Sequence, residues 1–397
     1  GSGKTRLALQ VARDLNSDFP DGIFFVSLSG LRSGEAFLPT LVRALGVSFQ
    51  SSWGDPFEQL LGYLQNHRFL LILDSFEEVS DAARQVSRIM QVAGDIRILV
   101  TSRARLNLEG EHIFLLEGMS YPEPANLNST AVNIEDYSAL QLFQSVGRRV
   151  RPDFSLSAED MPRLAQICQL VAGMPLGLVL AAGWLGTFSP AEIAIEIGRS
   201  LDFLSSSWND IPDRQRSMRA TLDHSWRMLD EDERQAFQKL SVFQGSFTRF
   251  AAEQVTQVGA AELRRLMDKS ILQIDEGRYR MHDLLRQYAN EKLAMDSQVN
   301  TRTRDAHSIY YLARLAQCEP RLKSAQRSSA LREMDTEISD CQVAWEWACK
   351  QANRQLLAAS LEGLCLYYDM RMRFHAGALA CQIGLSAQPA PLWEENE

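Results

Sequence analysis

The first residues of the chain, Gly-Ser-Gly-Lys-Thr, have the composition of a phosphate-binding loop. They end the pattern G-x-x-x-x-G-K-[ST], in which glycine N–H groups surround phosphate oxygens and the lysine reaches the β and γ phosphates. The threonine hydroxyl is a ligand for Mg²⁺, and a helix beginning near Lys4 adds its positive N-terminal end. These types predict ATP or ADP with Mg²⁺ as ligands. The predicted nucleotide-binding residues here are Gly1, Ser2, Gly3, Lys4, Thr5 and Arg6.

Two acidic residues follow the apolar run FLLILD at 69–74. Asp74 ends the run, where a carboxylate at the end of a buried strand can hold Mg²⁺ directly or through water. Its alternative role is to cap a strand-to-helix turn. Glu77 is the candidate for orienting or deprotonating an attacking water, and a solvated glutamate at a helix start is the alternative. Nucleotide binding is therefore better supported than turnover, and we expect any hydrolysis to be slow.

The run LVTSR, which ends at Arg103, supplies a third polar group. Ligands of parallel sheets bind beyond the carboxyl ends of the strands. Arg103 is thus placed to approach a γ-phosphate and to distinguish ATP from ADP. A surface arginine is the alternative, and Arg105 could share the task.

These residues require a parallel sheet to position them. Continuous apolar runs of this kind are typical of strands covered by helices on both faces. A helical apolar pattern that ends at Gly46 separates the first two runs. The first part of the chain is therefore predicted to be an α/β domain. Its predicted strands are 22–28, 69–74, 97–103 and 112–119.

After residue 130 the patterns become helical. Helix starts are predicted at Ser157 (with Asp160), at Ser189 with Glu192, and at Asp230 with Glu233, because these pairs resemble N-caps and capping boxes. A helix over 260–272 followed by two short strands around 275–277 suggests a winged helix-turn-helix. The remainder is predicted to be helical, as paired helices of the solenoid type.

Composition excludes several functional classes. The 397 residues carry a net charge of −9, which argues against sequence-independent electrostatic binding of nucleic acid. No apolar run approaches the ~18 residues of a membrane span, so we expect no membrane partner. The six cysteines match no metal or redox spacing and are predicted to be small buried residues in a reducing cytoplasm.

The order of the motifs resembles the NB-ARC branch of the STAND ATPases, signalling switches that include many bacterial transcription regulators. The resemblance covers residues 1–293. Beyond the P-loop it lies in five further segments, the last of which contains a further motif. These are LLILDSFEEV, the GLPL-like GMPLGLVLAAGWL at 173–185, LDHSWRML at 222–229, LSVFQGSFT at 240–248, and RYRMHDLLRQYANEKL at 278–293 with its Met-His-Asp motif.

The resemblance implies roles for individual residues. Lys4 and Thr5 bind phosphate and Mg²⁺, Asp74 completes the metal site, and Arg103 is the sensor arginine. Pro175 packs on the base or sugar of the nucleotide. His282 touches the β-phosphate of ADP and latches a closed state. The implied switch has a compact ADP form and an open ATP form that self-associates, and its signal, a ligand or protein, acts at the C-terminal helices.

Two departures from the family pattern matter. Ser75 replaces a second acid, which leaves Glu77 as the candidate base or leaves hydrolysis slow. The chain also begins inside the phosphate loop, so we expect a fragment whose sheet lacks its first, central strand and whose first domain is destabilised. The expected domains are an NTPase domain over 1–125, a helical domain over 126–212, a winged helix over 213–293 and a helical repeat segment over 294–397.

Two other functions compete with the switch. A DNA-binding winged-helix regulator could use Arg264, Arg265 and Lys269, but Glu262 and Asp268 interrupt this basic surface, so direct nucleic-acid binding is not expected. A rapid ATPase acting on a substrate would need a processing site, and no motif indicates one.

Overall fold

A parallel three-stranded sheet positions the predicted phosphate-binding residues. The computed structural model describes residues 2–31, 33–47, 55–123, 133–157, 159–206 and 216–386. The strands β1 (Ile23–Ser27), β2 (Leu70–Asp74) and β3 (Arg97–Val100) lie in the order β1-β2-β3. Ile23 pairs with Leu70, and Leu70 with Arg97. All five residues of β2 are buried, as its continuous apolar sequence predicts.

Helices cover both faces of this sheet. On one face, Ala8 of the first helix packs against Leu70 and Ile72 of β2. On the other face, three helices bury a larger apolar cluster that includes Phe37, Leu60 and Ile89. Gly46 ends the second helix in the left-handed conformation, as predicted. The four helices are α1 (Lys4–Asp14), α2 (Phe37–Leu45), α3 (Pro56–Leu64) and α4 (Ala83–Val92).

One expectation about the sheet is wrong. The apolar run at 112–119 forms no strand, and Ile113, Phe114 and Leu115 are exposed rather than paired. An apolar run becomes a strand only where an adjacent edge can accept its N–H and C=O groups. Strand β2 bonds directly to both β1 and β3, and the expectation of a missing central strand stays a prediction.

The rest of the first unit is helical. Ser189 caps α8 through the predicted capping box with Glu192. Ser157 does not cap α6, which begins after Asp160. The Ser157 hydroxyl instead accepts a hydrogen bond from the Asp160 N–H in the preceding turn. The helices are α5 (Ser138–Val150), α6 (Met161–Leu170), α7 (Pro175–Ala182) and α8 (Pro190–Arg199), with α9 (Met218–Arg227) at the boundary of the unit.

The second unit combines a helical cluster, a hairpin and long helices. Strands β4 (Leu272–Asp275) and β5 (Arg278–Met281) pair antiparallel around the predicted turn. Asp230 caps α10 through its capping box with Glu233. The helices are α10 (Glu231–Leu240), α11 (Arg249–Thr256), α12 (Ala260–Asp268), α13 (Asp283–Ala294), α14 (Ser297–Leu322), α15 (Arg327–Lys350), α16 (Arg354–Met370) and α17 (Phe374–Ser386).

Contacts divide the chain into two units, one ending at Met218 and the other beginning at Arg219. In the second unit, α14 packs against both α15 and α16. A parallel α/β sheet followed by mostly helical structure is the fold class expected from the sequence. Within the described part of the chain, no helix is both long and apolar enough to cross a membrane.

Four of the six cysteines are buried, as predicted, but two are not. Cys168, Cys318, Cys341 and Cys349 are buried. Cys365 is exposed and Cys381 is partly exposed, so the prediction of buried cysteines is wrong for this pair. Both lie on the last two helices, each of which has an incompletely covered face.

Candidate functional site

Asp74 is the centre of a hydrogen-bonded cluster at the carboxyl end of β2. Its side chain is only 3% exposed. One carboxylate oxygen, Oδ1, accepts hydrogen bonds from the Thr5 hydroxyl at 2.6 Å and from the Thr101 hydroxyl at 2.7 Å. Burial of a carboxylate is tolerated where such donors satisfy it. The cluster therefore joins the start of α1 to the ends of two neighbouring strands.

Thr101 is a site residue to which the sequence analysis gave no role. Its hydroxyl donates to Asp74 and accepts the Ser75 backbone N–H at 3.1 Å. Ser75 has a left-handed backbone, with φ of 62°, where the chain leaves β2. Thr101 thus holds both the carboxylate and the turn that follows it. The available signal was its position, because polar residues at the ends of adjacent parallel strands meet at one edge of the sheet.

The phosphate-loop residues precede α1 in the expected order. Gly3 occupies the N-cap position with φ of 88°, a conformation that strains any residue with a Cβ atom. The Lys4 ammonium donates to the Ser2 hydroxyl at 3.1 Å. Arg6 is exposed on α1, and Gly1 lies outside the described residues. This arrangement directs the N-terminal end of α1 toward the loop, as anion binding requires.

Glu77 and Arg103 are brought together, although the sequence gave them separate roles. The Arg103 guanidinium lies 3.4 Å from the Glu77 carboxylate, whose other oxygen accepts the Arg103 backbone N–H at 3.3 Å. The Glu77 side chain is only 7% exposed. Each residue therefore restricts the orientation of the other.

The electrostatics of Lys4 connect it to this pair. Burial lowers the pKa of Lys4, the negative charge of Glu77 partly offsets that effect, and the positive charge of Arg103 adds to it. A bound anion would stabilise the charged form of Lys4, which burial and the charge of Arg103 destabilise. Lys4, Glu77 and Arg103 thus form one charged group next to the Asp74 cluster.

Pro175 lies beside the phosphate loop. A Cβ atom on Gly3 would be 3.8 Å from Cγ of Pro175, an ordinary contact distance. The half-buried Pro175 is the first residue of α7, where its ring suits the start of a helix. The GLPL-like segment therefore faces the loop within the first unit.

Glycines explain how the GLPL-like turn is held. Gly173 has φ of 63°, and a Cβ atom there would lie 2.2 Å from the Met119 carbonyl oxygen. A Cβ on Gly118 would lie 1.9 Å from the Ala172 carbonyl oxygen, and the Met119 N–H donates to the Gly173 carbonyl at 2.8 Å. The residues that were predicted to end a strand instead pack against this turn.

His282 lies in the second unit, where it caps α13. Its Nδ1 accepts the Leu284 N–H at 3.1 Å. In the neutral imidazole the proton is therefore on Nε2, which is the form that can donate to a phosphate oxygen. This local arrangement gives His282 a structural role in addition to the one that the resemblance implies.

The oxygen groups around Asp74 suit Mg²⁺. This ion takes oxygen ligands, keeps several waters, and is commonly held by one or two carboxylates together with substrate phosphates. Asp74 and the Thr5 hydroxyl, already 2.6 Å apart, are ligands of that kind. Among the described residues there is no cluster of three or more His, Cys, Asp or Glu side chains suited to a metal. A site with one carboxylate fits an ion bound mainly through phosphate and water.

Comparison with known proteins places the chain among bacterial regulators. It is 30% identical over 362 residues to a protein of Mycobacterium bovis named as an HTH-type transcriptional regulator, with 88% of this chain and 38% of that protein covered. It is 28% identical over 340 residues to the regulatory protein AfsR of Streptomyces griseus, with 80% and 32% covered. Over most of its length the chain is therefore similar to proteins named as bacterial transcription regulators. No family model matches it.

The chain spans less than two fifths of the length of these regulators. Among solved structures, a STAND protein with a tetratricopeptide repeat sensor from Pyrococcus horikoshii is 16% identical at a TM-score of 0.28, over 98% of this chain and 55% of that one. A Walker-type ATPase of Pyrococcus abyssi is 12% identical at a TM-score of 0.42, over 72% and 93%. The expectation that the chain does not bind nucleic acid is not supported, because relatives of the chain are named as HTH-type transcriptional regulators.

Proposed function

We propose that this chain is the STAND-type nucleotide-binding switch of a bacterial regulator, with ADP or ATP and Mg²⁺ as its ligands. The observation that carries the proposal is the cluster in which the buried Asp74 accepts hydrogen bonds from Thr5 and Thr101, immediately beside Lys4. Hydroxyl, carboxylate and ammonium groups converge there on the N-terminal end of α1. A nucleotide phosphate with its metal ion is the ligand that uses all of these groups.

Each residue of the site has a defined part in this proposal. Gly3 and the first N–H groups of α1 bind phosphate oxygens, and Lys4 contributes the positive charge. Bound Mg²⁺ would offset phosphate charge, held by the Thr5 hydroxyl and by Asp74 directly or through water. Pro175, beside Gly3, limits the space for the nucleoside. Gly1 and Arg6 complete the proposed binding residues.

The same geometry supports the proposal that hydrolysis is slow. Glu77 is the candidate for orienting water, but it is already engaged by the guanidinium and the backbone N–H of Arg103. A γ-phosphate that attracted Arg103 would release Glu77, which makes Arg103 the group through which ATP is distinguished from ADP. Ser75 provides no second acid. A switch that retains its product is consistent with this arrangement.

Calorimetry with ADP and with ATP, each with and without Mg²⁺, tests nucleotide binding. Lys4→Ala should reduce affinity for both nucleotides by at least about tenfold, because it removes a charge-assisted contact to phosphate. Arg13→Ala is the matched control, since it removes an exposed cation from the other end of the same helix. Equal affinities of the two variants, or no binding by the unaltered chain, would refute the proposal.

The switch itself is proposed from the NB-ARC resemblance. ADP stabilises a closed state, ATP favours an open state that self-associates, and a signal ligand or protein acts at the C-terminal helices. His282, with Nε2–H as its donor, is proposed to contact the ADP β-phosphate. His282→Ala should speed ADP dissociation, and the exposed His375→Ala should not. Unchanged dissociation in the first variant would remove His282 from the switch.

The finer domain assignments are part of the same proposal. We assign 1–125 to the nucleotide-binding domain and 126–212 to the helical domain with the GLPL-like turn. The helices and hairpin of 213–293 are interpreted as a winged helix. The segment 294–397 is interpreted as a TPR-like helical repeat that receives the signal.

A DNA-binding role for the winged-helix segment is the second candidate, favoured by the names of the relatives. Two of the three basic residues proposed for it are engaged within the chain. Lys269 lies 2.5 Å from Glu233, and Arg265 lies 3.3 Å from Glu262. A gel shift of the chain at two salt concentrations tests this role, because phosphate contacts give tight binding that weakens steeply with salt. Binding of that kind would favour the DNA-binding role.

A further inference from the structure

Two cysteine side chains face each other across the last pair of helices. Cys365 of α16 and Cys381 of α17 have their sulfur atoms 3.8 Å apart, so one thiol can donate a hydrogen bond to the other. A disulfide requires about 2.05 Å between the sulfurs. Bond formation would therefore require the two sulfurs to approach each other, by rotation of the side chains about their Cα–Cβ bonds or by a small shift of one helix.

Glycines allow α17 to approach its neighbours closely. A Cβ atom on Gly377 would lie 3.0 Å from Cβ of Tyr368 on α16. One on Gly384 would lie 3.0 Å from Cζ2 of Trp345 on α15. Larger residues at these positions would push α17 away, because such distances are below ordinary van der Waals contact. The proximity of the two thiols is therefore supported by contacts above and below them along α17.

Accessibility separates this pair from the other cysteines. Cys365 is exposed and Cys381 is partly exposed, whereas the remaining four are buried. A small oxidant can reach the pair directly. The buried thiols need an opening of the fold before they can react.

We propose that Cys365 and Cys381 are a reversible disulfide site that ties α17 to α16. The oxidant is a low-molecular-weight disulfide such as glutathione disulfide. One protein thiolate attacks a sulfur of that disulfide and releases one thiol, which leaves a mixed disulfide on the protein. The second protein thiolate then attacks the protein-bound sulfur and releases the second thiol. Two protein thiols are oxidised, and one small disulfide is reduced to two thiols.

The bond would fix a groove between the last three helices. Trp345, Leu364, Tyr368 and Leu379 line this groove. The Trp345 indole N–H already donates to the Ala380 carbonyl at 2.9 Å, which anchors α17 to α15. A covalent link to α16 adds a second anchor on the other side of α17. Oxidation would therefore hold the groove in one shape.

The reaction should depend on pH. Although Cys365 is exposed, partial desolvation of its thiol, together with the hydrogen bond and charge of Cys381, raises its pKa to about 11. Because only the thiolate attacks a disulfide, oxidation through Cys365 is slow at neutral pH and accelerates as the pH rises.

Peptide mapping of the whole chain tests the proposal. The chain is incubated with glutathione disulfide, free thiols are alkylated, and the protein is digested with trypsin without reduction. We expect peptide 355–371 to be linked to peptide 374–397 and the link to be reversed by dithiothreitol. Cys318 and Cys349 should be alkylated only after unfolding, since both are buried.

Single variants separate a true pair from two independently reactive thiols. Cys365→Ser and Cys381→Ser should each leave one mixed disulfide with glutathione, and Cys349→Ser should leave the link intact. Hydrogen exchange of 374–386 should slow on oxidation in the unaltered chain but not in Cys381→Ser. Mixed disulfides on both cysteines of the unaltered chain, without a link, would overturn the proposal. Exchange that is unchanged by the link would overturn the tie between the helices.

Discussion

The two units each bury an aspartate, and the two carboxylates are satisfied differently. In the first unit, Asp74 receives its close hydrogen bonds on Oδ1 alone, from two hydroxyls. Among the residues that the structure describes, its Oδ2 has only the distant Ser75 hydroxyl as a hydrogen-bond partner, at 3.4 Å. In the second unit, Asp340 of α15 is fully buried and uses both oxygens.

Two of the partners of Asp340 are backbone N–H groups, which are fixed donors. Its Oδ1 accepts the Gln244 N–H at 2.7 Å and bonds to His307 Nε2 at 2.9 Å, and its Oδ2 accepts the Gly245 N–H at 3.2 Å. Backbone N–H groups cannot reverse their polarity, whereas hydroxyls can rotate to accept as well as donate. Asp340 is therefore a structural group, and Asp74 has an oxygen available for a ligand.

The largest expected effect is a loss of stability in Asp340→Asn. The asparagine amide would place N–H donors against a backbone N–H or against His307, which leaves buried groups unsatisfied. We expect a loss of about 3 kcal/mol in the free energy of unfolding. Urea denaturation followed by circular dichroism measures it. A loss below about 1 kcal/mol would mean that the cluster rearranges and that the contrast with Asp74 is wrong.

Asp74→Asn should instead lower nucleotide affinity. The amide oxygen can still accept from Thr5 and Thr101, and the Ser75 hydroxyl can turn to accept from the amide nitrogen. We expect unfolding to change by less than about 1 kcal/mol. Affinity for nucleotide with Mg²⁺ should fall on the order of tenfold to a hundredfold, and affinity without the ion should change little. Calorimetry in the presence and absence of Mg²⁺ measures the two affinities. Equal losses of affinity with and without the ion would contradict a role of Asp74 in metal binding.

Thr101→Val tests whether the turn after β2 depends on this hydroxyl. The change leaves the Ser75 N–H without its acceptor and Asp74 without one donor, so we expect about 1–2 kcal/mol of destabilisation. Thr256→Val is a matched control in the second unit. Its hydroxyl donates only to the Ala252 carbonyl of its own helix, and the expected loss is smaller. Similar losses in the two variants would show that Thr101 has no special role.

The smallest effect concerns the pH dependence of nucleotide binding. Lys4 must be protonated to bind phosphate, so nucleotide affinity should fall as the pH rises through the pKa of Lys4. Because burial lowers this pKa, the fall should occur at a lower pH than it would with a lysine of ordinary pKa. Glu77→Gln removes a charge that raises the pKa and should shift the midpoint of this fall downward. Arg103→Gln should shift it upward, each by less than about one pH unit. Calorimetry between neutral and alkaline pH gives the midpoints, and shifts in the same direction would exclude this electrostatic account.

The sequence was sufficient to predict features that depend on residues close together along the chain. The capping boxes at Ser189 and Asp230 depend on residues three positions apart. The buried run that ends at Asp74 has the pattern of a central parallel strand. The hairpin around residues 275–277 follows from strand patterns on either side of a glycine turn.

Other features depend on distant contacts and had no local signal. The apolar run at 112–119 pairs with no strand, and Gly118 instead meets the turn at Gly173. Thr101 becomes important only because β3 lies beside β2. The exposure of Cys365 depends on which face of α16 its neighbours cover.

The Asp340 cluster also constrains the order in which the second unit assembles. It joins Gln244 to a residue 96 positions away along the chain, whereas His307 and Asp340 are 33 positions apart on consecutive helices. Closing the shorter loop loses less chain entropy. We therefore expect the hairpin of α14 and α15 to form first, and the segment after α10 to dock last. Until it docks, the carboxylate needs water, so slow folding steps should be concentrated at this late event.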